Sequence, residues 1–138
     1  MGPAQGPSGD RVVSPYPVEV PAIRVLIIGF DPRVVPGVDA ETVERGLAYG
    51  LERVRAAGHL VEQVLVPLDE SALERIRAAV TSQAWDVVVI GGGIRKPEPL
   101  LEFFEAVVNL VHAGAPSARI AFNTDGGSSL EAVQRVLT

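Results

Sequence analysis

Four short, almost unbroken apolar runs, each followed by a longer segment with apolar positions every three to four residues, constrain this chain more than any other feature. The runs cover residues 23–29, 60–66, 86–90 and 119–123 and are rich in Val and Ile. Near-continuous apolar runs of this length predict strands covered on both faces. Between them, Asp39 starts a helix carrying Val43, Leu47, Leu51 and Val54 that ends at Gly58. Asp69 or Ser71 caps a second helix with Leu73, Ile76 and Val80 inward, and Trp85 plugs the turn after it. Pro97 and Pro99 lead into a third helix over residues 100–112, stopped by Gly114 and Pro116. Ser128 with Glu131 has the spacing of a capping box opening a fourth.

Strands joined by single helices must run parallel through right-handed crossovers, so the expected architecture is α/β, a three-layer αβα sandwich on a four-stranded parallel sheet. The polar Glu62 and Gln63 put the second strand at an edge, and the third strand, the least polar, at the centre. These assignments favour the flavodoxin-like order 2-1-3-4, with a Rossmann-like 3-2-1-4 as the alternative. Residues 22–138 form one domain. Residues 1–21, rich in Gly, Pro and Ser, read as a disordered arm, of which residues 18–20 would lengthen the first strand.

Composition narrows what such a domain does. Seventeen acidic residues against twelve basic ones, without a basic block, argue against nucleic acid as a partner. The chain has no cysteine, which removes disulfides, thiolate metal sites and cysteine nucleophiles, and fits a reducing compartment. No apolar run is long enough to span a bilayer, and the first residues lack the pattern of a signal peptide, so a cytoplasmic location without membrane contact is expected.

In an open parallel sheet of the favoured order, ligands bind outside the strand carboxyl ends between the first and third strands, where the winding reverses. Three loops converge there. The first carries Gly29 and Asp31, a carboxylate placed to orient a hydroxyl or act as a base; its competing role is the Asp-Pro start of a turn, a doubt that Arg33 shares. The second carries Gly91, Gly92 and Gly93 followed by Arg95 and Lys96, the chain's only lysine. Glycines that admit a ligand close to the backbone, with two cations behind them, suit an anion; a tight strand-to-helix turn with solvated charges would look the same. The third offers Asn123 and Thr124 beside Asp125, Gly126 and Gly127, again ordinary turn chemistry unless a ligand uses it. The expected ligand is a small anionic metabolite or nucleotide; the alternative is a protein-interaction module without catalysis.

Known cofactor fingerprints are missing. The turn after the first strand lacks the dinucleotide pattern and the hydroxyl-rich phosphate loop of flavodoxins, and no Walker pattern occurs, so no cofactor is expected. On the third helix, Glu102, Glu105, Asn109 and His112 form one polar stripe; Glu105 and His112 without a third ligand make no metal site.

The segments 27–32, 88–95, 101–112 and 120–124 resemble a family of small bacterial single-domain α/β proteins without an assigned activity. The likeness covers about residues 23–138 and supplies no mechanism. It points to Gly29, Asp31, Pro32, Gly91, Gly93, Arg95, Phe104, Glu105, Asn109, His112, Asn123 and Thr124, and so adds the Glu105, Asn109 and His112 stripe to the candidate ligand residues; the triple glycine and the Asp125-Gly126-Gly127 turn depart from its pattern.

The third helix also carries Leu100, Leu101, Phe103, Phe104, Val107, Val108, Leu110 and Val111, more apolar surface than one contact with a sheet uses. A homodimer through this helix, with Phe103, Val107 and Leu110 at its interface, is therefore expected.

Overall fold

The structure, a computed structural model, describes residues 22–138. The arm and strand extension expected over residues 1–21 lie outside them. The strands are β1 (Arg24–Phe30), β2 (Leu60–Val66), β3 (Val87–Ile90) and β4 (Arg119–Phe122). They form one parallel sheet in the order β2-β1-β3-β4, the flavodoxin-like arrangement, and the 3-2-1-4 alternative is excluded. The two central strands are the least polar: Val25 to Ile28 of β1 and all four residues of β3 are buried, and β2 with Glu62 is an edge.

Helices cover both faces. On one side α2 (Ala72–Val80) and α4 (Leu101–Gly114) pack on Leu26, Ile28, Val88 and Ile90. On the other α1 (Ala40–Ala56) and α5 (Ser129–Leu137) pack on Val25, Ile27, Val87 and Val89. A single helical turn, α3 (Gly92–Arg95), follows β3 where the sequence suggested only a loop. No helix of the described residues is long and apolar enough to cross a membrane.

Most local signals act where the sequence put them. Asp39 accepts the Thr42 amide and hydroxyl, which hold its carboxyl below the ordinary aspartate value. Gly58, at φ +95°, takes the left-handed turn that releases the chain into β2. Trp85 is buried, its indole donating to the Ala79 carbonyl at 2.9 Å. Asp69 rather than Ser71 supplies the side-chain acceptor ahead of α2, taking the Ser71 amide and hydroxyl.

One expectation fails, and the ground for another is removed, for identifiable reasons. The capping box before α5 is formed by Asp125 with Ser128, a full box earlier than Ser128 with Glu131, because the chain first makes a 3-10 turn at Gly126–Ser128. Glu131 is instead engaged across the layer by Arg53, which donates two bonds to it at 2.9 and 2.6 Å and a third to the Gly127 carbonyl. The apolar excess of the third helix is absorbed within the chain: Val107, Leu110 and Val111 are buried, Phe103 stacks on Phe30 at 5.5 Å, and Phe104 meets Phe122 at 5.8 Å. Leu101, 53% exposed, is the large apolar residue α4 leaves in the open. The surplus surface that motivated a dimer through Val107 and Leu110 is therefore not present.

Besides its side-chain packing on the sheet, α1 meets the 126–128 turn backbone to backbone. A Cβ on Gly50 would lie 1.9 Å from the Gly126 carbonyl oxygen, whereas one on Gly46, a turn earlier, would meet nothing within 4 Å. Gly50→Ala should therefore force α1 off the 126–128 turn and cost about 2 kcal/mol or more, while Gly46→Ala should stabilise by up to roughly 1 kcal/mol through helix propensity. Thermal denaturation of the two variants checks the opposite signs. Glu131 predicts a pH signature. The Arg53 hydrogen bond, with help from its own backbone amide, lowers its carboxyl below the ordinary 4.5 against the opposing pull of burial. A depressed carboxyl stabilises the fold above its unfolded value and loses that contribution as pH falls through the folded one. The difference in melting temperature between wild type and Glu131→Gln should thus be greatest near neutrality and shrink steadily below pH 4.5.

Candidate functional site

A cleft of about 430 Å³ opens above the carboxyl ends of β1 and β3, at the reversal of winding. Its base is the end of β1, where Gly29 leaves the α1 side of the sheet without a side chain next to Leu65 of β2. From the connection to α1 come Pro32, Val35 and Val38, and from α1 itself Val43 and Leu47. The segment after β3 contributes Gly91, Gly92, Gly93, Lys96 and Pro97; the segment after β4 contributes residues 123–126. The walls are thus mainly aliphatic, and Val38 and Val43 remain 43% and 38% exposed at this border.

The polar residues are held by one buried amide. Asn123, 2% exposed, accepts the Gly92 amide at 2.8 Å and donates to the hydroxyl of Ser129, itself fully buried, at 3.0 Å. One side chain therefore ties the start of α3 to the start of α5 and fixes the distance between two of the three loops. Glycine is needed beside it. A Cβ on Gly91 would stand 3.0 Å from the Ile28 carbonyl, and one on Gly92 2.8 Å from the Thr124 carbonyl and 3.0 Å from Cε of Lys96. Gly93 is different: a side chain there meets no atom within 4 Å.

Of the residues singled out from the sequence, Gly91, Gly92, Gly93, Lys96, Asn123 and Thr124 come together on the cleft. Lys96 lays its stem across Gly92 and donates to the Thr124 carbonyl. Thr124 shares its hydroxyl with Ser128 at 3.0 Å, and Asp125, also on the cleft, accepts the Gly127 amide at 2.8 Å. Asp31 does not line the cleft. Its carboxylate accepts the Arg33 amide at 2.9 Å and caps a 3-10 turn, while Arg33 pairs with Glu44 at 2.6 Å. Arg95 also turns away: it donates to the Asn123 carbonyl at 2.9 Å and lies 6.0 Å from the centre of the Phe122 ring. Its Nε is buried with no partner among the described residues. Glu105, Asn109 and His112 are exposed along α4, Asn109 bonding back to the Glu105 carbonyl. No cluster of three metal-ligating side chains occurs among the described residues.

The aliphatic wall escaped the sequence reading, which looked for charge in the first loop and passed over Val35 and Val38. The signal was present. Valines in a Pro- and Gly-containing loop serve no strand or helix periodicity, so their apolar surface needs another use.

No family model matches this chain, and no curated protein is significantly similar to it.

Asn123→Ala should leave the Gly92 amide and the Ser129 hydroxyl buried without partners, at about 1–3 kcal/mol each. Denaturant unfolding should accordingly show a loss of several kcal/mol, far above that of an exposed neighbour such as Thr124→Ala.

Proposed function

We propose that this chain is a small-molecule-binding domain whose ligand lies in the cleft over the carboxyl ends of β1 and β3. The supporting observation is the coincidence of a concave aliphatic surface with the reversal point of a parallel sheet, bordered by the one lysine and by Gly93, where no neighbouring atom occupies the space of a side chain. Its volume lies within the range of small-molecule sites, roughly 300–1,000 Å³.

Binding is favoured over catalysis by what the polar groups already do. Asp31 serves a turn, Asn123 is satisfied on both sides, and Thr124 and Asp125 bond within their own loop. A nucleophile beside a general base, the minimal arrangement for covalent or acid-base chemistry, would need a group free to move a proton. An interaction module without catalysis remains the second reading, favoured by the exposed apolar residues Val34 and Val38 on the loop before α1.

The test is a nitrogen-15 NMR titration of the chain with a set of small apolar fragments. Amide shifts are expected at Gly29, through residues 91–96 and through residues 123–126. In Gly93→Leu, at a lining position where an added Cβ meets no atom within 4 Å, the fold should persist and those shifts should weaken. Shifts confined to other surfaces, or unchanged in Gly93→Leu, would overturn the proposal, and shifts centred on Val34 with a protein partner alone would favour the module.

A further inference from the structure

We infer that the ligand is an amphipathic monocarboxylate, its hydrocarbon body on the aliphatic wall and its carboxylate on the ammonium of Lys96. This rests on the cleft being a ligand site and goes further by naming what fits it. The charged side chains bordering the cleft are Lys96 and Asp125. A nucleotide or sugar phosphate would set several negative charges beside one ammonium and one like-charged carboxylate, with Arg95 committed elsewhere. A single carboxylate matches the available charge.

Lys96 is also held in a way that suits this role. Its stem passes beside Gly92 and its ammonium donates to the Thr124 carbonyl, which places the charge at the cleft border. Among the described residues it forms no ion pair, and it donates to the neutral Thr124 carbonyl. An ammonium has three donors, so two remain for a ligand oxygen. A charge-assisted bond from a preorganised donor is stronger than one between neutral groups. The aliphatic wall, with Val35, Val38, Val43 and Leu47, gains by covering hydrocarbon, and it offers few partners for the hydroxyls of a sugar.

The experiment titrates the full chain by NMR with octanoate and 3-phenylpropanoate, with their neutral amides octanamide and 3-phenylpropanamide, and with ATP. In wild type each acid should bind roughly tenfold or more tightly than its amide. Lys96→Met should weaken the acids far more than the amides and so erase that preference, and Lys96→Arg should largely keep it. Equal affinities for acid and amide in wild type, a preference that survives in Lys96→Met, or cleft shifts with ATP stronger than with either acid would overturn the monocarboxylate assignment while leaving the cleft as a binding site. Absence of cleft shifts with every probe would overturn both.

Discussion

The two hydrogen bonds of Asn123 connect the parts of the molecule that local sequence cannot connect. A parallel sheet places the ends of β3 and β4 side by side, but the loops leaving them go to opposite faces, one toward α4 and the other toward α5. Nothing in strand pairing fixes those loops relative to each other. A buried amide with one acceptor and one donor does so, because leaving either group unpaired in a dry interior is costly. The glycine at 92 then follows from it: with the two loops drawn together, the Thr124 carbonyl occupies the space a side chain would need, while Gly91 is kept bare by the Ile28 carbonyl of the neighbouring β1.

That constraint explains why so few of the loop polar groups are free. Arg95 and Lys96 both donate to main-chain carbonyls of the β4 loop, at Asn123 and Thr124, so the cations behind the glycine run strengthen the same junction that Asn123 makes. The two residues diverge in consequence. Arg95 is drawn over Phe122, while Lys96 stays at the cleft. Adjacent positions on one turn of helix project about 100° apart, and that separation suffices to assign one charge to the framework and the other to the open site.

The architecture was legible in the sequence because burial on both faces writes itself as unbroken apolar runs, and because Glu62 and Gln63 marked the edge strand. The cleft's location followed from strand order. What could not be read is everything decided by contacts distant in sequence. The glycine run gave no helical signal, since α3 is held by its surroundings and not by propensity. The aromatic residues that absorb the apolar surface of α4, Phe30 and Phe122, sit at strand ends where no periodicity announces a partner. Asp31 takes the turn role that its Asp-Pro sequence also offered, whereas Arg95 looked like a ligand group because its acceptor, the Asn123 carbonyl in the loop after β4, is distant in sequence.

The two faces of the sheet differ in the kind of matter that fills them. Trp85 and all four phenylalanines pack on the side of α2 and α4, whereas the interior beneath α1 and α5 is aliphatic throughout, built from Val, Ile, Leu and Ala. Aromatic rings bury more area per residue and interlock, and small aliphatic groups grip less. Regions with less buried apolar surface open at lower free energy than the rest of a domain. The α1 and α5 layer is thus where the fold is expected to open first, and since the cleft lies on that side, a guest of the kind proposed would enter by the same motion.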